Sequence, residues 1–129
     1  GNKMIDVTNF EKVGDFMEAC DQEICIDPAF PDAETIDLRL ALIEEEWHEL
    51  LEAQEDRNLV EVADALTDLL YVIYGTGHAY GIDLDACFEE VHNSNMSKLV
   101  DGYAQKNDMG KVMKGPGYYP PDLETILGL

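Results

Sequence analysis

Residues 38–68 read LRLALIEEEWHELLEAQEDRNLVEVADALTD. Apolar residues recur at helical intervals on both sides of a short polar break at residues 55–58, so the spacing predicts two helices. Within each, acidic residues stand three and four apart, which stacks their side chains on one helix face. Glu45, Glu46 and Glu49 form one carboxylate cluster, and Glu61, Asp64 and Asp68 form another. A short connection favours an antiparallel hairpin, in which the two clusters face each other. Carboxylates held that close repel one another unless a cation sits among them. The pattern therefore predicts a divalent-metal site.

Acidic residues on helices are most often a solvated face. Here, however, the first cluster directly follows the apolar run 38–43 and flanks Trp47, while Asp64 and Asp68 interrupt a strongly apolar segment. Aspartate is a poor helix former and is costly to bury. Oxygen ligands without cysteine suit Mg²⁺, for which Mn²⁺ can substitute. Such ions clamp phosphate oxygens and activate water, and a spare carboxylate can orient that water or take its proton. A different metal chemistry uses Glu45-x-x-His48 and Glu89-x-x-His92 with Glu18 and Glu61, the order of ferritin-like di-iron bundles. It leaves Glu46, Glu49, Asp64 and Asp68 unexplained, and it needs a longer fourth helix than this chain offers.

Outward from this stretch the chain continues to read as helical. Thr8 and Glu11 have capping-box spacing, opening a helix from Asn9 to about Gln22. Residues 24–32 hold Pro28 and Pro31 and form a loop. Asp32 or Thr35 caps the second helix, with Ile36, Leu40, Ile43, Trp47, Leu50 and Leu51 as its apolar positions. The third starts at Asn58 and stops at Gly81, with Gly75 and Gly77 expected to weaken its second half. Asp83 caps a fourth, Leu84 to about Leu99, in which Ala86, Cys87, Val91 and Met96 are expected to be buried. Residues 101–121 are rich in Gly, Pro and Tyr and predict no long helix, and residues 122–127 predict a last short helical turn. Four of the eight basic residues, Lys98, Lys106, Lys111 and Lys114, lie at or beyond the end of the fourth helix. A flexible basic segment there can fold over bound phosphate.

The 129 residues predict one all-α domain of four to five helices over 1–129, with a basic C-terminal loop at 100–121. The net charge is -20, from 28 acidic and 8 basic residues, which argues against nucleic acid or an anionic membrane as partner. Three cysteines without metal or CxxC spacing fit free thiols. With no secretory signal or membrane-spanning run expected, the reading is a cytoplasmic protein. Several exposed-looking apolar positions predict self-association.

Glu45-Glu46-Trp47-His48-Glu49 resembles the EExxE motif of the all-α nucleoside triphosphate pyrophosphohydrolases: the MazG-like proteins, the dimeric dUTPases and the phosphoribosyl-ATP pyrophosphohydrolases. Asp68-Leu69-Leu70-Tyr71 is similar to the Asp-Leu-Leu-aromatic that follows in those families. The stretch from Glu90 to Lys98, and Gly110-Lys111-Val112-Met113-Lys114-Gly115-Pro116 with Tyr118, resemble the MazG-like, dUTPase-related branch. The resemblance implies a MazG-like helical bundle that forms homodimers or tetramers, binds Mg²⁺ and cleaves between the α- and β-phosphates of an NTP or dNTP, dUTP being the first candidate. It implies Glu46, Glu49 and Asp68 as metal ligands and Glu45 as a further ligand or the group that orients the attacking water. Asn95, Lys98, Lys111, Lys114 and Tyr118 would contact the nucleotide.

One departure matters. The family pattern has Glu at the position held here by Ala65, and the chain's own ExxD, Glu61 to Asp64, lies one turn earlier. Asp64 can take the missing role, being four residues from Asp68, while Glu61 is an outer ligand or the capping-box acid. Trp47 and Tyr71 are expected in the core or at a dimer interface, and His48, His78 and His92 at the surface or at helix ends. The functional reading is a Mg²⁺-dependent nucleotide pyrophosphohydrolase with Glu45, Glu46 and Glu49 as catalytic residues. Phosphoribosyl-ATP hydrolysis, a di-iron bundle and a non-enzymatic helical interaction module are the alternatives.

Overall fold

The computed structural model describes residues 7–129; residues 1–6 of the domain expected over 1–129 lie outside the described residues. The fold is all-α, built from α1 (Asn9–Ala19), α2 (Ala33–Glu55), α3 (Leu59–Tyr80), α4 (Leu84–Met96) and a short α5 (Leu123–Leu127). A two-residue antiparallel ladder, β1 (Gln105–Lys106) with β2 (Val112–Met113), interrupts the helical order. The chain divides into two compact units, the first through Ile82 and the second from Asp83 onward.

Local side-chain chemistry places the helix starts. Thr8 and Glu11 form a reciprocal capping box ahead of α1. The carboxylates of Asp32, Asp83 and Asp122 and the amide oxygen of Asn58 accept the first free backbone N–H groups of the other helices. Helix α1 ends at Ala19, three residues short of the expected Gln22, and Asp21 lies beyond it at φ 58°. Helix α4 likewise ends at Met96 rather than near Leu99.

In the first unit α2 and α3 pack along each other as an antiparallel hairpin, and α1 packs on α3. The core is made of small residues and sulfur: Val13, Met17, Ala53, Ala65 and Ala79 are buried, together with Gly14, Gly75 and Gly77. Gly75 and Gly77 do not interrupt α3, which runs unbroken to Tyr80; both are buried, and at Gly75 the missing side chain lets the Arg39 guanidinium approach the helix closely. At Gly14 the neighbour is the His78 ring, whose Cε1 lies 2.7 Å from where a Cβ would stand. That ring stacks on Phe10 at 3.8 Å and meets the Phe10 carbonyl at 2.7 Å through Nε2, so His78, at the helix end as expected, is packed against α1. The proline-containing loop returns along α3, where Cys25 N–H donates to the His78 carbonyl and Ala29 N–H to the Tyr80 carbonyl. This satisfies carbonyls that the helix end leaves without partners. Gly81 closes α3 in the left-handed region at φ 67°.

In the second unit α4 holds the C-terminal segment through polar side chains. Ser94, buried at the end of α4, donates to the Tyr119 carbonyl at 2.8 Å. Ser97 Oγ accepts from Tyr119 N–H, Glu90 Oε2 accepts from Asp122 N–H, and the Lys98 carbonyl accepts from Gly115 N–H. Val91 and Met96, expected to be buried, are 37% and 52% exposed, and Ala86 and Cys87 are half-buried. The ladder is turned by Asn107, whose side-chain oxygen accepts from Met109 and Lys111 N–H groups, with Gly110 at φ 81°.

Candidate metal centre

Positions 45, 46 and 49 share one face of α2, and the structure brings one carboxylate oxygen of each within 4.8 Å of the others. Glu46 is the inner member. Its Oε2 is buried and takes no hydrogen bond from the described residues. An unsatisfied carboxylate oxygen in the company of two further carboxylates is unfavourable in the bare protein. The cost shows in its titration: burial above all, then a hydrogen bond shared with Glu49 and the charges of Glu49, Asp68 and Glu45, push Glu46 up to about 7. Asp68 acts here from α3, across the hairpin, although neither it nor Asp64 nor Glu61 joins the clustered ligand atoms found among the described residues.

The seam continues toward the hairpin tip as an open cleft of about 320 Å³ lined by Glu49, Glu52, Asp56, Glu61, Asp64 and Ala65. Glu49 thus belongs to both the three-glutamate cluster and the cleft. Ala65 is 3% exposed and forms part of the wall. Asp64 and Glu61 supply carboxylates to the same cleft. Glu61 is not drawn back into a capping box: Asn58 Oδ1 takes the Glu61 N–H, and the Asn58 N–H is already held by the Ala53 carbonyl. Glu52 and Asp56 were missed by the motif reading, although 45, 49, 52 and 56 continue one helical stripe.

His48 stays outside the cluster, paired with Glu44 at 3.8 Å on the exposed side of α2. The clustered ligand atoms found among the described residues include no histidine, so the di-iron pattern finds no support at Glu45-x-x-His48. Trp47 is 49% exposed and Tyr71 41%, neither being a core residue of this chain.

The basic candidates lie in the second unit, where the backbone gathers them in two pairs. Lys98 and Lys114 are neighbours through the bond from Gly115 N–H to the Lys98 carbonyl, and the Lys114 ammonium stands 4.8 Å from the centre of the Tyr118 ring. Lys106 and Lys111 flank the Asn107 turn. Asn95 is exposed on α4.

A helical hairpin with carboxylates on both arms is the arrangement that the resemblance to the all-α, MazG-like pyrophosphohydrolases leads one to expect. Comparison with known families places it further: residues 13–95, well over half of the chain, match the phosphoribosyl-ATP pyrophosphohydrolase family model, and the chain belongs to that family. The family is generally metal-dependent. An uncharacterized protein of Acanthamoeba polyphaga mimivirus is 52% identical over 52 residues, 40% of this chain and 21% of that relative. The chain thus matches about a fifth of the viral protein's length. No helix among the described residues is long and apolar enough to cross a membrane.

Proposed function

We propose that this protein is a Mg²⁺-dependent nucleoside triphosphate pyrophosphohydrolase, releasing pyrophosphate and a nucleoside monophosphate from an NTP or dNTP, with dUTP as first candidate. The observation that carries the reading is the buried, unpartnered Oε2 of Glu46 beside Glu45 and Glu49 and opposite Asp68. A hard cation satisfies that oxygen and removes the repulsion in one step, so the residues present fit the ion. Glu46, Glu49, Asp64 and Asp68 would hold it, with Glu61 as an outer ligand, and Mn²⁺ could replace it. When bound, the ion neutralises phosphate oxygens and lowers the pKa of water.

The chain's own residues supply the rest. Glu45 lies at the solvent side of the cluster, where its carboxylate can orient a water for in-line attack on the α-phosphorus and accept its proton. Asn95, Lys98, Lys111, Lys114 and Tyr118 are the proposed substrate contacts, the ammonium groups offsetting charge on the departing pyrophosphate. Half-exposed Leu40, Trp47, Leu51, Leu66, Leu70 and Ile73 on the two longest helices favour a homodimer or tetramer. A cytoplasmic location, with neither nucleic acid nor membrane as partner, agrees with the charge of -20.

Phosphoribosyl-ATP is the second substrate to test, since the matching family model carries that description. Both substrates are opened at the same bond. The experiment is pyrophosphate release across the common NTPs and dNTPs and phosphoribosyl-ATP, with Mg²⁺ and then with EDTA. Metal-dependent release from one nucleotide, lost in Glu49→Gln and Asp64→Asn with the helical circular dichroism retained, is the expected result. Turnover that survives EDTA, or near-normal turnover in either variant, overturns the assignment.

A further inference from the structure

Arg39 is the one buried charged residue found among the described residues, at 7% exposure. No carboxylate of the described residues pairs with it. Its Nη2 donates to the Val72 carbonyl at 3.2 Å and its Nε to Thr76 Oγ1 at 3.4 Å, both across the hairpin on α3. The guanidinium occupies space that only a glycine leaves: a Cβ on Gly75 would collide with Nη2. Thr76 Oγ1 itself donates back to the Val72 carbonyl at 2.7 Å, closing a small polar knot.

The location of this knot gives it a consequence for the metal centre. Arg39 stands seven residues before Glu46, two turns along the same face of α2, and Val72 stands one turn beyond Asp68 on α3. The other buried positions of these two helices are Ala53, Ala65, Gly75, Gly77 and Ala79. Such small side chains permit close approach and offer little resistance to axial sliding, whereas directional hydrogen bonds hold one offset. A slip of one helical turn, about 5.4 Å, would carry Asp68 away from Glu46.

We propose that Arg39, seated over Gly75, pins the axial register of α2 against α3 and is thereby a positioning residue for the metal centre; the proposal rests on the metal reading above. The test uses the full chain as wild type, Arg39→Met, Gly75→Ala and the Arg39→Met/Gly75→Ala double variant. Three quantities are read: the thermal midpoint, Mn²⁺ affinity by calorimetry, and the distance between spin labels at positions 48 and 63. The labels are placed with Cys20, Cys25 and Cys87 exchanged for serine.

Each single variant is expected to shift or broaden the label distance and to weaken Mn²⁺ binding about tenfold, the usual scale for residues that orient ligands. In the double variant the added methyl meets no guanidinium, so the midpoint lost in Gly75→Ala returns while Mn²⁺ binding stays weak. Binding that recovers together with the midpoint overturns the pin, because packing alone would then explain it. Label distances unchanged in both single variants also overturn it. If wild type binds no Mn²⁺, the metal reading falls by itself and the label distances alone decide the pin: altered distances support it and unaltered ones refute it.

Discussion

Replacing Glu46 with glutamine should stabilise the metal-free protein, although it removes a proposed ligand. In the fold this carboxyl is pushed from 4.5 up to about 7, first by burial, then by the hydrogen bond to Glu49 and the charges of Glu49, Asp68 and Glu45. A carboxyl whose folded pKa lies above its unfolded one binds more protons in the folded state. Its contribution is therefore fully favourable below about 4.5 and is lost as the pH rises through about 7. At about 1.4 kcal/mol per pH unit the shift sets a ceiling of about 3 kcal/mol. Solvent reaches the cluster and screens it, so the expected gain at pH 8 is about 1 kcal/mol. For a chain of this size that is a rise in thermal midpoint of roughly 3–6 °C. The side-chain amide introduced by Glu46→Gln can donate to the neighbouring carboxylates, which removes repulsion rather than adding a cavity.

The assay is thermal unfolding of wild type and Glu46→Gln in EDTA between pH 5 and pH 8.5, repeated with saturating Mg²⁺. In EDTA the variant's advantage should grow with pH, because only the wild type accumulates the unfavourable charge. With metal the order should reverse, since a ligand that binds only the folded state stabilises by mass action and the variant has lost much of that binding. An advantage that is absent at pH 8, or equal at pH 5 and pH 8, would mean that Glu46 carries no buried, repelled charge in the folded state. The carboxylates would then be independently solvated and the convergence of α2 and α3 without energetic meaning.

Further outcomes follow from single contacts. Gly81→Ala places a Cβ at φ 67° and against the Asp27 carbonyl, so it should cost about 2 kcal/mol and lower the thermal midpoint, most of it from strain where the loop returns onto α3. Ser94→Ala removes the buried donor to the Tyr119 carbonyl; it should cost about 1 kcal/mol and raise amide hydrogen exchange at residues 115–122 before it does so in α4. Asp83→Ala deletes the α4 cap and should cost about 1 kcal/mol in denaturant unfolding, with Asp83→Asn recovering most of it.

The helices and their starts were legible in the bare sequence, because caps and amphipathic spacing act over three or four residues and need no distant partner. Thr8, Asp32, Asn58, Asp83 and Asp122 all cap where their side chains can first reach a free N–H, and Gly81 ends α3 where only a left-handed residue serves. The grouping of Glu45, Glu46 and Glu49 was legible for the same reason, being a matter of one helix face. Which of these carboxylates is the strained one emerged only from packing, since Glu46 owes its raised pKa to burial and, across the hairpin, to Asp68. Packing also made Gly75 a contact position rather than a weak point, and it buried Arg39. It set Ser94, rather than Val91 or Met96, as the buried residue of α4, and it made the short ladder around Asn107. The offset between two packed helices and the pairing of two-residue strands depend on contacts distant in sequence. No periodicity within either partner encodes them.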